Sequence, residues 1–291
     1  MTRQVRAPIV MTVAAALLWA SSFSVVKVGL RHIEPYSFVF LRFLAASIVL
    51  LVIVFLTGQA AVLASYLKDR YVLLLGLTLA GSFGLQFIGQ TETTAAKAAM
   101  IINSGVVLVA PLSVVLLKEH IGRKKLIALA IGVCGVYLVV GGKSLAPDGV
   151  QSLRGDILIT GSSLCYALYI VFTKMAVSRR TFREIPLVTG VFLWTLPIFL
   201  VAALPGLGGA IRPDANVWLS VVYLAVFCSV LPFLIWTAAI KHIGALTSAI
   251  VLLAELVFGV IIACVLLGET LSGAVIAGCA LICAGILIVG R

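Results

Sequence analysis

Hydrophobic residues run along this chain in long stretches, and most charged residues gather in the short links between them. A membrane-spanning helix needs about 20 consecutive, mostly apolar residues. The pattern predicts ten such spans, at 8–29, 36–57, 71–90, 94–117, 125–142, 155–177, 186–204, 216–240, 245–267 and 271–290. Strands of a membrane barrel would alternate apolar and polar positions, whereas segments such as Ile48–Leu56 are continuously apolar. We therefore expect an all-α integral membrane protein.

The two halves of the chain repeat one another. Features recur in the same order at a nearly constant offset: Glu119 with Glu269, Gly135 with Gly285, the pair Trp19 and Lys27 with the pair Tyr166 and Lys174, and Pro35 with Pro186. Each half then holds five spans, and because five is odd the second half enters the bilayer from the opposite side. The sequence predicts ten transmembrane helices as two inverted five-helix repeats, residues 1–145 and 146–291.

The distribution of charge supports the inversion and gives an orientation. The link after Glu119 carries Arg123, Lys124 and Lys125, whereas the link after Glu269 carries no basic residue. Lys and Arg favour the cytoplasmic side of a membrane, so we expect both termini to be cytoplasmic, in a multi-pass protein of the inner (cytoplasmic) cell membrane. We also expect the first span to remain uncleaved, because it is long enough to cross and has a counterpart in the second half.

Composition excludes several function classes. Only 11% of residues are charged, against about 25% in a soluble domain, so no segment is suited to a soluble catalytic domain. The basic excess of 21 over 10 acidic residues is divided among short loops, whereas nucleic acid needs a continuous basic patch. No His, Cys or carboxylate spacing fits a metal site, and no phosphate-binding loop is present. We expect no cofactor, no metal and no nucleic-acid partner.

Short motifs add a family resemblance. They are Leu18-Trp-Ala-Ser-Ser-Phe-Ser-Val-Val-Lys27, Phe40-Leu-Arg42-Phe-Leu-Ala-Ala, Leu116-Leu-Lys-Glu119 with its echo Leu266-Leu-Gly-Glu269-Thr-Leu-Ser, and Leu253-Ala-Glu255-Leu. On these the chain resembles the drug/metabolite transporter superfamily, and within it the EamA-type ten-helix exporters, amino-acid exporters among them. The resemblance implies that helices one, three, four, six, eight and nine line a central cavity. Two family prolines are replaced here, by Val106 and Leu256, which alters where helices four and nine are expected to bend.

Glu255 is the strongest candidate for a functional residue. It lies near the middle of the ninth span, where an isolated charge costs about 3 kcal/mol or more. We expect a binding or proton-carrying carboxylate that faces the cavity. The alternative is a structural partner for a buried lysine or for helix hydrogen bonds.

Uncharged polar and aromatic residues inside the spans complete the predicted site. Amide side chains there bond either between helices or to a substrate, and aromatic residues well inside a span are not part of an interfacial belt. The predicted substrate-binding residues are Trp19, Ser22, Gln86, Gln90, Asn103, Tyr166, Tyr169, Trp236 and Glu255.

Other residues in the spans favour structural roles. Lys27, Lys174 and Arg42 lie near helix ends and are expected to snorkel to the interface; a cavity-facing charge, or for Arg42 an acidic partner, is the alternative. Glu119 and Glu269 are expected to fix loops. Small residues allow close helix packing, so Gly132, Gly135, Gly278 and Gly285 predict that helices five and ten are scaffold or dimer contacts.

We expect a secondary transporter that exports small organic metabolites by alternating access, most naturally aromatic or branched apolar amino acids. Its partners are a small-molecule substrate, the lipid bilayer and, as a candidate coupling ion, protons; the chain is expected to be a monomer or a weak homodimer. Phosphorylated or nucleotide-type metabolites are the second substrate class. An enzyme acting on lipid-linked substrates and a structural or receptor protein are distant alternatives.

Overall fold

A computed structural model of the chain describes residues 3–29, 33–92, 95–141, 153–207, 215–267 and 272–290. The described residues form ten long helical segments and one short helix, Ala60–Leu67, between the second and third. The ten are α1 (Arg3–Gly29), α2 (Pro35–Leu56), α3 (Arg70–Glu92), α4 (95–117), α5 (Arg123–Gly141), α6 (Leu153–Arg179), α7 (Glu184–Leu207), α8 (Ala215–Ile240), α9 (245–267) and α10 (Gly273–Gly290).

The ten helices coincide with the predicted spans. Nine of them, α2 to α10, contain an apolar segment long enough to cross a membrane within the described residues, and the apolar part of α1 covers Arg6–Ser22. The prediction of an all-α membrane protein is confirmed. Glu269 and the predicted repeat boundary at residue 145 lie outside the described residues.

Helix α2 shows how local sequence sets these boundaries. Proline is favoured in the first turn of a helix because the missing N–H has no helical acceptor there. Glu34 precedes Pro35, and its carboxylate oxygens accept hydrogen bonds from the backbone N–H groups of Tyr36 (3.1 Å) and Ser37 (2.9 Å). The carboxylate therefore satisfies two of the amides that every helix leaves unpaired at its start.

Helix packing has a reciprocal pattern. Helix α5 packs on α10, and α2 packs on α7. Each of the other extensive pairings between the halves has a counterpart in which the halves are exchanged. The pairing of α3 with α6 matches that of α8 with α1, the pairing of α3 with α7 matches that of α8 with α2, and the pairing of α4 with α6 matches that of α9 with α1. Exchanging the first five helices for the last five leaves this set unchanged, as a twofold axis between the halves requires. The fold consists of two inverted five-helix repeats.

The pairing of α5 with α10 depends on glycine. A Cβ added at Gly135 would lie 2.7 Å from the carbonyl oxygen of Gly278, and one added at Gly278 would lie 2.7 Å from that of Gly135. The two backbones therefore touch where each sequence has no side chain. None of the described residues of α5 or α10 lines the cavity described below, in agreement with the predicted scaffold role.

Three helices are interrupted, although α4 and α9 lack the family prolines. Helix α4 has a turn at Gly105 and α9 has one at Leu253, each with hydrogen bonds from residue i+3 to residue i. Helix α8 widens into a π-helical segment at Val226–Val230. Interrupted helices near mid-membrane are common beside transporter binding sites, and all three border the same cavity.

Candidate functional site

A cavity lies between helices α1, α2, α3, α4, α6, α8 and α9. Its volume is about 510 Å³ and it is partly open to the surface. Small-ligand pockets in proteins measure roughly 300–1,000 Å³, so the space suits one compact solute. Six of these helices are those that the family resemblance implied, and α2 is an addition.

Most of the predicted site residues meet at this cavity. Trp19, Ser22, Gln86, Asn103, Tyr166 and Glu255 line it. The side chain of Gln90 lies outside the described residues, as does that of Lys27. Tyr169 and Trp236 do not line the cavity: their side chains are only 2% and 0% exposed, and they pack behind its wall.

We call the four rings that close the cavity on this side the aromatic layer: Trp19 and Phe233 line the cavity, and Tyr169 and Trp236 pack behind them. Ring centroids are 5.2 Å apart for Trp19 and Phe233, and 5.9 Å apart for Tyr169 and Trp236. The indole N–H of Trp236 donates to Ser248 Oγ at 2.8 Å. Large rings fill space here so completely that the cavity ends at this layer, which explains why two predicted residues are excluded from it.

Arg42 was expected to snorkel outward, and this prediction is wrong. The side chain is 5% exposed and lines the cavity. Its Nε donates to Ser229 Oγ and its Nη2 donates to the carbonyl oxygen of Cys228, both at 2.8 Å. The guanidinium also lies over the ring of Phe83, 5.5 Å from its centroid. These contacts hold the charge inside the bundle.

A proline creates the acceptor that holds Arg42. Pro232 lies four residues after Cys228. In a regular helix the N–H of residue 232 would donate to the Cys228 carbonyl, and proline has no N–H. The freed carbonyl lies within the π-helical segment of α8, where Arg42 satisfies it. Pro232 therefore leaves open the acceptor that orients the guanidinium of Arg42.

Glu255 supplies the opposite charge on the same cavity. It lies two residues after the turn at Leu253 in α9. Arg42 and Glu255 interact electrostatically, yet neither forms an ion pair with any residue that the structure describes, so their charged atoms are more than 4.0 Å apart. Of the described residues that line the cavity, these two are the only charged ones.

The remaining wall is largely apolar. Phe83, Phe87 and Phe233 contribute rings, and Val106 and Leu252 contribute aliphatic surface. Such a wall can bury an apolar side chain, at about 25 cal/mol per Å² of apolar area removed from water. A cation, an anion and apolar surface thus occur together in a space the size of one small molecule.

Beyond the aromatic layer lies what we call the basic end, the end of the bundle that holds Lys118, Arg123, Arg180 and Lys241. Lys174 Nζ donates to the carbonyl oxygens of Ile240 and Lys241, both at 3.0 Å. Lys174 therefore has a structural role, through the end of α8 and not through the expected snorkelling, and it does not line the cavity.

Glu119 also acts at the basic end. Its Oε1 accepts a hydrogen bond of 3.1 Å from the backbone N–H of Ala245, the first residue of α9. A carboxylate at a helix N-terminus is favoured by the helix dipole. Glu119 and Lys174 thus hold the two sides of the turn between α8 and α9, which agrees with the predicted loop-fixing role of Glu119.

Sequence reasoning missed Arg42 and the rings of Phe83 and Phe87. A signal for Arg42 was present: a proline inside a span leaves one carbonyl without its helical donor, four residues earlier. A buried arginine on another helix is one of the few side chains that can satisfy it in a membrane. No group of His, Cys, Asp or Glu capable of holding a metal occurs in the part of the chain that the structure describes.

Comparison with known proteins points to one family. The sequence profile of the EamA-like transporter family matches residues 6–141 and 153–291. The "Probable amino-acid metabolite efflux pump" of Salmonella typhimurium is 29% identical over 94% of this chain and 91% of its own length. An uncharacterized transporter of Archaeoglobus fulgidus is 28% identical over 80% of each chain. A solved crystal structure superposes with a TM-score of 0.82 over 97% of this chain and 95% of that chain, at 18% identity, which shows a shared fold.

Proposed function

Since this chain belongs to the EamA-like transporter family, we propose that it exports compact amino acids with apolar side chains by alternating access. It is a multi-pass membrane transporter. The observation that carries the substrate class is the pair of opposite charges, Arg42 and Glu255, which form no ion pair with any described residue and lie on an otherwise largely apolar cavity.

The match to a zwitterion is chemical. Arg42 presents a guanidinium, which binds carboxylates through parallel N–H donors, and Glu255 presents an acceptor for an ammonium group. Phe83 and Phe87 offer apolar contact to the rest of the solute. An amino acid satisfies both charges and buries its side chain, whereas a phosphorylated metabolite would place a dianion beside Glu255. We therefore prefer aromatic or branched apolar amino acids over phosphorylated solutes.

Coupling and orientation belong to the same proposal. Glu255 is placed to carry a proton when no substrate ammonium is bound, so that a proton gradient drives export. The protein lies in the inner membrane, and its basic end and both termini face the cytoplasm, because Lys and Arg favour the cytoplasmic side. The protein acts as a monomer or a weak homodimer, performs no enzymatic reaction and uses no cofactor.

A proteoliposome flux assay tests the proposal. The purified chain is reconstituted, and labelled L-phenylalanine, L-leucine, a sugar phosphate and a nucleotide are followed with and without a pH gradient. We expect flux of the two amino acids. The flux should be faster when the pH gradient drives protons in the direction opposite to the movement of the amino acid. Flux of the phosphorylated solutes alone would overturn the substrate class, and no flux of any solute would overturn the transport proposal.

A matched variant separates binding from coupling. Glu255→Gln keeps the size of the side chain but cannot carry a charge or release a proton. We expect it to retain counterflow weakly and to lose the dependence of flux on the pH gradient. If Glu255→Gln transports with unchanged rate and unchanged pH dependence, neither role belongs to Glu255.

A further inference from the structure

The two halves correspond position by position along α1 and α6. Trp19 and Tyr166 each lie eight residues before a lysine, and both line the cavity. The register that carries Trp19 onto Tyr166 also pairs Ser22 with Tyr169 and Val26 with Thr173.

A second correspondence relates α3 to α8. Glu119 after α4 and Glu269 after α9 are 150 residues apart, as are Gly135 and Gly285, and the same offset gives the register of the preceding helices. Carried back, this register pairs Phe83 with Phe233, Gln86 with Trp236 and Phe87 with Thr237. Phe83 and Phe233 both line the cavity, as equivalent residues at the centre of a twofold arrangement would.

The other pairs are divided between two environments. Ser22, Val26, Gln86 and Phe87, all from the first half, line the cavity. Their partners from the second half do not, and we call this set the occluded wall: Tyr169, Thr173, Trp236 and Thr237. Its side chains are 2%, 2%, 0% and 1% exposed. Thr173, Trp236 and Thr237 lie nearer the basic end than the described cavity residues of their helices, and Tyr169 lies beside Ile170, the last cavity residue of α6.

The occluded wall carries polar groups that packing alone does not explain. Thr237 Oγ1 is fully buried and has no hydrogen-bond partner among the residues that the structure describes. Burying a hydroxyl without a partner is unfavourable, and a valine would fill the same space without that penalty. Water or a ligand that reached the hydroxyl would supply the missing partner.

We propose that the occluded wall is a second substrate-binding surface, which faces the pathway when the cavity opens at the basic end. The inference rests on the proposed alternating access, in which each half adopts the conformation of the other. The wall then takes the place that Ser22, Val26, Gln86 and Phe87 occupy here. It offers two aromatic faces and threonine hydroxyls to the apolar side chain and polar end of an amino acid.

Thiol labelling in proteoliposomes of known orientation tests the proposal. The six native cysteines are replaced by alanine, and Thr237→Cys is introduced into the full chain. We expect a membrane-impermeant thiol reagent to modify Thr237→Cys from the basic-end side only, and L-phenylalanine to protect it. Ser22→Cys should be modified from the opposite side.

Ser47→Cys is the matched control. Ser47 Oγ is also buried and has no partner among the described residues, but it lies on α2 outside the cavity. Labelling there would therefore report general loosening of the fold. Thr237→Cys that remains as inert as Ser47→Cys, in vesicles that still transport, overturns the proposal. Labelling without protection by L-phenylalanine, in vesicles that transport L-phenylalanine, also overturns it, because the wall would then be a water path.

The same vesicles separate this inference from the function on which it rests. If they move no solute, the proposed function fails. Labelling of Thr237→Cys from the basic-end side then still decides whether the occluded wall becomes exposed at that end. Thr173→Cys, one turn from Tyr169, repeats the measurement at a second position in case Thr237→Cys does not fold.

Discussion

The assignment of Arg42 to the substrate carboxylate can be tested by changing both partners. Arg42→Gln removes the charge, and phenethylamine is L-phenylalanine without its carboxylate. Binding or flux is measured for both ligands with both proteins. The resulting cycle isolates the interaction between guanidinium and carboxylate from the other effects of each change.

The magnitude follows from the contacts of Arg42. Two of its donors are already engaged, by Ser229 Oγ and the Cys228 carbonyl, which leaves the remaining N–H groups for a ligand. A hydrogen bond to a charged group contributes about 1.5–3 kcal/mol, and every 1.4 kcal/mol corresponds to about tenfold in affinity. Arg42→Gln should therefore weaken L-phenylalanine by roughly 10- to 150-fold more than phenethylamine.

The assay is competition for flux in proteoliposomes, with thermal unfolding in detergent as a control. Arg42→Gln also weakens the hold on the Cys228 carbonyl, at a cost of about 1–3 kcal/mol in stability. This cost acts on both ligands alike and cancels in the cycle. If the two ligands lose the same affinity, so that the coupling is below about 0.5 kcal/mol, Arg42 does not bind the substrate carboxylate.

Further predictions concern packing and helix ends, each read out by thermal unfolding in detergent. Gly135→Ala should destabilise the chain by about 1–3 kcal/mol, because its Cβ would meet the backbone of α10; Gly84→Ala, with open space around the added Cβ, should be neutral, and equal effects would contradict the close approach. Gly105→Ala should lower stability similarly because its Cβ would overlap Ser163 Oγ, and Ser163→Ala should restore part of the loss; a double variant no better than the single one would locate the strain elsewhere. Glu119→Ala should cost about 0.5–2 kcal/mol, whereas Glu119→Gln, which keeps the acceptor for the first N–H of α9, should cost less.

Much of the architecture could be predicted from the chain. Apolar stretches of membrane length can only be helices in lipid, because every backbone N–H and C=O must be paired within the segment. Recurring residues such as Glu119 and Pro35 showed two halves, and an odd number of spans in each half forces inversion. These are one-dimensional constraints, so a sequence expresses them fully.

Which residues make up the site depended partly on how the helices pack together in the tertiary structure. Glu255 was predictable because a carboxylate in the middle of a span is unfavourable wherever the helix turns. The burial of Arg42 was harder to predict, since a residue near a helix end can snorkel outward. Pro232 shows in the sequence that the Cys228 carbonyl lacks its helical donor, but only the packing of α8 beside α2 brings that carbonyl to Arg42.

The aromatic residues show the same division. The sequence by itself determined that Tyr166, Tyr169 and Trp236 lie inside spans, and the family resemblance implied that the helices of these spans line a cavity. Only the tertiary structure decided that Tyr166 faces the cavity while Tyr169 and Trp236 stack behind it. Residues one turn apart on a helix share a face, and which of them meets open space depends on where the neighbouring helices close together.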